Sequence, residues 1–293
     1  MTIIAILLAF ALCHFVRELG RCRQNQWLAS WINFSSDAFS RLPGWKDMLG
    51  FLIIMGGPLL LLLLIDQVLY AALGTTATFL LATAVLIYTY GPRDLDTEVA
   101  GIIAAEDEKS RQSLLERFLG TNLPEDEDVC RALTVEAVFR EALWRWFGVI
   151  FWFVVLGITG AFLYRMVGWL VSEDYPLSEE QKSLFIRLQQ IMDWPAAQLT
   201  TLSLAIATDF DSVFATWKHY HDEQGHGLFE GNNGFLLASA RSIVLTGHAA
   251  RDGYADQLEG PFTCLQQAMD LAWRVLGVCM TALALLLLIG VIT

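Results

Sequence analysis

Charge is scarce in this chain. Only 17% of its 293 residues are Asp, Glu, Lys or Arg, while 55% are hydrophobic and the mean hydropathy is +0.47. A water-soluble domain carries about a quarter charged residues, so the apolar excess must lie somewhere other than a water-facing surface. Basic residues are scarcer still, with 19 Lys and Arg against 31 Asp and Glu and a net charge of −12. That disfavours a nucleic-acid partner, and none is expected, because phosphate binding needs clustered cations. Cysteine is sparse and dispersed: Cys13, Cys22, Cys130, Cys264 and Cys279 show no CxxC spacing. Such a set points to reduced thiols and away from a disulfide framework or a zinc site. GxSxG, HExxH and a Ser-His-Asp order are also missing, so no motif demands an enzyme. No strand alternation and no internal repeat appears. The fold class expected is all-α.

What the chain has instead is long apolar runs, at 2–16, 48–65, 69–90, 147–171 and 275–292. Crossing the hydrocarbon takes about 20 apolar residues. The runs therefore predict a polytopic helical integral membrane protein of four to five spans, read as a single membrane domain over 1–293. The first run is short, a tilted span or an interfacial helix. It has no basic n-region, which predicts an uncleaved first helix in place of a signal peptide. A sixth segment, "WPAAQLTTLSLAIAT" at 194–208, is about 15 residues long and reads as a re-entrant piece or an ordinary amphipathic core helix, with Pro195 in its first turn. Basic residues set the orientation. The 17–47 loop holds Arg17, Arg21, Arg23, Arg41 and Lys46, and the turn expected at 66–69 has no Lys or Arg. By the positive-inside rule the first loop is cytoplasmic, and so is 91–146 after the 48–90 hairpin returns.

The polar regions carry helical signals. Residues 94–128 hold eleven Asp or Glu against three Lys or Arg, which predicts a solvated surface. Within them Val99, Ile102, Ile103, Leu114, Leu115 and Phe118 fall at helical spacing, stopped by Gly120 and Pro124. Ser178 is placed to cap a helix with Leu184, Phe185, Leu188 and Ile191 on one face. Just before the 147–171 run, Glu136, Arg140 and Glu141 can share a helix face. The simplest pairing is Glu136 with Arg140, an interfacial ion pair worth a few tenths of a kcal/mol. The functional reading is a charged pocket at the cytoplasmic mouth. Tyr164, Arg165, Trp144, Trp146 and Trp169 read as interface anchors, and Gly157 and Gly160 as sites of close helix packing. His219 and His221 fall on different sides of a helix, and no metal site is expected. "GHGLFEGNNGF", at 225–235 and including His226, Asn232 and Asn233, is either a bending polar loop or an N–H cradle for an anion. It lacks P-loop spacing.

Several short pieces, in order, resemble a known family. They are "GPRDL" at 91–95, "VEAV" at 135–138, "FW", "GA" and "LYR" up to Arg165, "MDWPAAQLT" at 192–200, and "FATWKHYHDEQGHGLFEGNNGFLLASA" at 214–240. Together they cover most of the chain and resemble the AmpE family, and more distantly the CbiB/CobD adenosylcobinamide-phosphate synthases. The resemblance implies a regulatory protein of the bacterial inner membrane, linked to peptidoglycan recycling and β-lactamase induction. Its implied partners are membrane lipid and a soluble amidase of the AmpD type. It maps Arg93-Asp94, Glu136, Tyr164-Arg165 and the Asn232-Asn233-Gly234 loop onto polar motifs of the synthases. A nucleotide with magnesium is the cofactor such a site would take. The chain departs from the synthases where Arg140, Glu141 and Trp144 follow "VE" and where Gln198 replaces an arginine. The alternative implied is therefore a membrane ligase or amide synthase with a reduced site. A third reading is a scaffold that holds a soluble enzyme at the membrane.

Overall fold

The computed structural model describes residues 2–15, 25–90, 95–224, 232–247 and 260–289, and among them every regular element is helical. In chain order these are α1 (Thr2–Phe15), α2 (Gln26–Phe39), α3 (Met48–Leu73), α4 (Thr75–Thr89), α5 (Leu95–Ile103), α6 (Glu108–Leu119) and α7 (Glu127–Ala142). A π-helical turn over Leu143–Phe147 follows, then α8 (Gly148–Ser172), α9 (Glu179–Ala207), α10 (Phe210–Gln224), α11 (Gly234–Leu245) and α12 (Gly260–Leu288). Two compact units share the chain. The first is built from Met1–Pro92 and Trp144–Asp193, and the second from Arg93–Leu143 and Trp194–Val291.

Three helical stretches are long and apolar enough to cross a membrane, Met48–Leu73, Glu127–Ser172 and Pro261–Leu286. That is fewer than the four to five expected, and each difference has a physical cause. The runs 48–65 and 69–90 do not break at 66–69. α3 continues through Asp66 to Leu73, and the reversal comes at Gly74, whose φ of 70° is open to glycine. This leaves α4 only 15 residues, ~22 Å of helix against ~30 Å of hydrocarbon. α1, at 14 residues, is ~21 Å long.

The 147–171 run changes most. At Gly157 the backbone takes φ 65° and ψ −150°, and α8 doubles back on itself. In a straight helix Gly148 and Tyr164 would lie ~24 Å apart, yet a Cβ added at Gly148 would stand 2.2 Å from the Tyr164 ring. Gly160 lies as close to the first arm, where an added Cβ would be 2.3 Å from the Trp152 carbonyl oxygen. The close packing expected of Gly160 is therefore present, and Gly157 is the hinge. Glu127–Ser172 thus meets the length and composition of a span as a continuous stretch, while the hairpin divides its apolar part into arms of ~14 Å for Gly148–Leu156 and ~22 Å for Ile158–Ser172.

In the first unit α3, α4 and α8 pack together, α1 lies on α4 and α2 on α3. Pro58 sits inside α3 and cannot donate to the Ile54 carbonyl. Trp31 of α2 supplies the missing donor, its indole N–H reaching Ile54 O at 3.0 Å. α9 starts with a full capping box. The Gln181 N–H donates to Ser178 Oγ and the Ser178 N–H to Gln181 Oε1, both at 3.1 Å. Phe185 is buried in the first unit's core and Leu184 and Leu188 pack against it, while Ile191 is exposed. Pro195 is not in a first turn, because α9 runs through it to Ala207.

In the second unit α7 packs on α12 and α11, and α10 on α11. Val135, Val138, Phe139 and Ala142 of α7 are fully buried. The acidic stretch forms two helices in place of one. Asp107 breaks it by accepting from the Ser110 N–H at 2.9 Å as the cap of α6. Hydrogen bonding from the Ser110 side chain, and then from that N–H, holds its carboxyl below the usual range. Val99, Ile102, Leu115 and Phe118 are buried as expected, Leu114 is exposed, and Gly120 ends α6 in the left-handed conformation.

Candidate functional site

Glu136 projects from the middle of α7, and its ion pair is not with Arg140 one turn on. Arg241 of α11 reaches it, Nη1 to Oε1 at 2.9 Å. The pair spans 105 residues of sequence and joins two packed helices of one unit. Arg140 and Glu141 lie half-buried at the C-terminal end of α7. Arg93, Asp94 and His226 fall outside the described residues, so the expected meeting of Arg93, Asp94 and Glu136 lies outside them too.

Asn232 and Asn233 stand at the start of α11. The Asn232 carbonyl oxygen accepts from Tyr220 Oη at 3.1 Å and from the Gly234 N–H at 3.3 Å. Gly234 is required here, since an added Cβ would lie 2.1 Å from the Tyr220 hydroxyl. Arg241 lies eight positions along from Asn233, ~12 Å of helix rise. Asn232 and Glu136 are thus held at different levels of α11, each by a partner from within the chain. His221 belongs to an aromatic ladder with Trp217, ring centroids 4.4 Å apart, and its Nδ1–H donates to Trp217 O at 2.7 Å. Gln198 accepts from Trp217 Nε1 at 3.2 Å.

A second polar centre lies in the first unit. The π-helical turn and both arms of the α8 hairpin close around α9 just before Pro195. Tyr164 Oη donates to Asp193 Oδ1 at 2.7 Å, the Trp144 side chain also hydrogen-bonds this carboxyl, and Trp152 Nε1 donates to Met192 O at 3.0 Å. Asp193 is only 6% exposed. Burial pushes its carboxyl up to about 6, although the bonds from Tyr164 and Trp144 pull the other way. Tyr164, Arg165, Trp146 and Trp169 are therefore not interface anchors, since all four are buried inside the protein. Arg165 stacks over the Trp169 ring at 5.5 Å.

Sequence reasoning missed Arg241 and Asp193. Arg241 had one signal, a lone cation in the apolar "FLLASARSIVL" of α11. Asp193 sits inside "MDWP", a motif noted only for its resemblance. Among the described residues no three His, Cys, Asp or Glu side chains come together as a metal-binding group. Comparison of the chain with protein-family models, with curated proteins and with solved structures returns no match.

Proposed function

We propose that this chain is an AmpE-like regulatory or sensory protein of the bacterial inner membrane, linked to cell-wall recycling and β-lactamase induction. The observation that carries the reading is the Glu136–Arg241 pair at 2.9 Å. A glutamate that handled a substrate or a magnesium-bound nucleotide would stand open to it, and this one is engaged by a cation from a neighbouring helix of its own unit. The hydrogen bond from Tyr164 to Asp193 adds support. It joins "LYR" and "MDWP", two of the resembling pieces, through packing and burial. Polar groups of the resemblance thus serve to hold helices together, as a scaffold needs.

On this reading the loops at 17–47 and 91–146 face the cytoplasm, where an amidase of the AmpD type can reach them. Deleting the chain is expected to change the level of β-lactamase produced on exposure to an inducing β-lactam. An unchanged level would contradict the proposal. The purified protein in detergent is expected to bind no magnesium-nucleotide at millimolar concentration. Saturable binding, lost in Asp94→Ala or Glu136→Ala, would instead favour the ligase alternative.

A further inference from the structure

Asp66 is the one charged residue in α3, and α3 is long and apolar enough to cross a membrane. A carboxylate in such a helix is expensive and is as a rule compensated or used. Among the described residues Asp66 makes no hydrogen bond and no ion pair. It borders a cavity of about 580 Å³, within the range of small-molecule sites.

The walls come from α1, α3, α4 and both sides of the Gly157 reversal in α8. Five helical segments therefore contribute to its walls, and the space is open on one side, with Leu63, Thr75 and Leu156 of its rim exposed. Thr75, Thr78 and Thr159 line it with Asp66, together with Phe79 and Phe153, and the Thr78 hydroxyl donates to Thr75 O at 2.9 Å, which leaves it an acceptor. Gly157 also borders it, and a Cβ there would meet nothing within 4 Å.

This lining selects a ligand class. It holds one carboxylate and no cationic side chain, which disfavours an anion. A bare metal cation asks for about six or more oxygen ligands, and here one carboxylate and three hydroxyls share a lining that is mostly apolar. An organic ammonium ion meets all three parts of the lining. The carboxylate neutralises its charge, aromatic faces attract its polarised N-alkyl groups, and threonine hydroxyls can accept from a polar substituent. We propose that the cavity between α1, α3, α4 and the α8 hairpin binds a small organic ammonium ion, with Asp66 as counter-ion and Phe79 and Phe153 as aromatic walls. The proposal goes beyond the regulatory reading and does not depend on it.

Equilibrium dialysis of the detergent-purified full chain against radiolabelled choline tests it, with 3,3-dimethylbutan-1-ol as a neutral competitor of the same shape. Saturable choline binding is expected, with the neutral analogue failing to compete. Asp66→Asn is expected to weaken binding by about tenfold or more, the scale of one desolvated charge contact. Asp66→Glu is expected to retain most of it and Phe79→Leu to weaken it several-fold, while Asp193→Asn leaves it unchanged. The proposal would be overturned by no saturable binding by the parent, equal competition by the neutral analogue, or unchanged affinity in a monodisperse Asp66→Asn protein. Displacement of choline by sodium at equal concentration would also overturn it, in favour of an inorganic cation. Should Asp66→Asn not fold, the neutral competitor and Phe79→Leu still decide the matter.

Discussion

Tyr164 and Asp193, 29 residues apart in sequence, share a buried hydrogen bond of 2.7 Å that ties the second arm of the α8 hairpin to α9. The bond suits either charge state of the carboxyl, but burial favours the neutral one. The folded protein holds the Asp193 proton up to about pH 6, whereas the unfolded chain releases it near the ordinary aspartate range, about 4. Between those values the unfolded state binds fewer protons than the folded one, so stability falls as pH rises through this window and is constant above it. Thermal unfolding in detergent is expected to show this decline in the parent. Asp193→Asn is expected to flatten it and to raise the unfolding temperature at pH 7 relative to the parent.

Gly157 makes a separate prediction. Its φ of 65° with ψ −150° lies in a region that only glycine occupies without strain, at a cost of about 1–3 kcal/mol for other residues. Gly157→Ala is expected to lower the unfolding temperature or the amount accumulated in membranes. Gly168→Ala is the control, because that glycine is helical and an added Cβ meets nothing within 4 Å. Equal behaviour of the two variants would remove the hairpin from the account.

Trp31 is predicted to matter through one atom. Replacement by Phe keeps a ring against Gly57 but strips the donor from the Ile54 carbonyl that Pro58 leaves without its helical partner. A loss of about 1 kcal/mol is expected, read as a lower unfolding midpoint. Restoring the helical donor by Pro58→Ala should reduce the effect of Trp31→Phe in a double-mutant cycle.

The helical class and the membrane character were legible because apolar runs of bilayer length are a property of composition. Where those runs bend was not. Hydropathy averages over residues and is blind to a single positive φ, so Gly157 vanished inside 147–171, and the polar pair Asp66-Gln67 looked more like a turn than Gly74 did. The capping box at Ser178 and the stop at Gly120 were legible because their chemistry is local. Glu136 was readable as a charged residue that needed a partner, but Arg241 lies 105 residues away, and only the packing of α7 on α11 selects it over the nearer Arg140. The raised Asp193 carboxyl had no sequence signal at all, since its cause is burial in the folded unit.

The Glu136–Arg241 pair is partly exposed, with 21% of the glutamate and 47% of the arginine side chain open to solvent. Its contribution to stability is accordingly small, within about 1 kcal/mol. Exchanging the charges, Glu136→Arg with Arg241→Glu, is expected to preserve membrane accumulation better than either single reversal.

The central claim, that Glu136 holds helices together in a regulatory membrane protein and does no chemistry, is tested most directly by complementation. A strain lacking the chain is supplied with the parent or with Glu136→Gln/Arg241→Gln, and β-lactamase induction is measured alongside the amount of protein in the membrane. The account predicts that the doubly neutral protein accumulates like the parent and restores induction to the same level. A variant that accumulates normally but fails to restore induction would contradict it and return Glu136 to an active site.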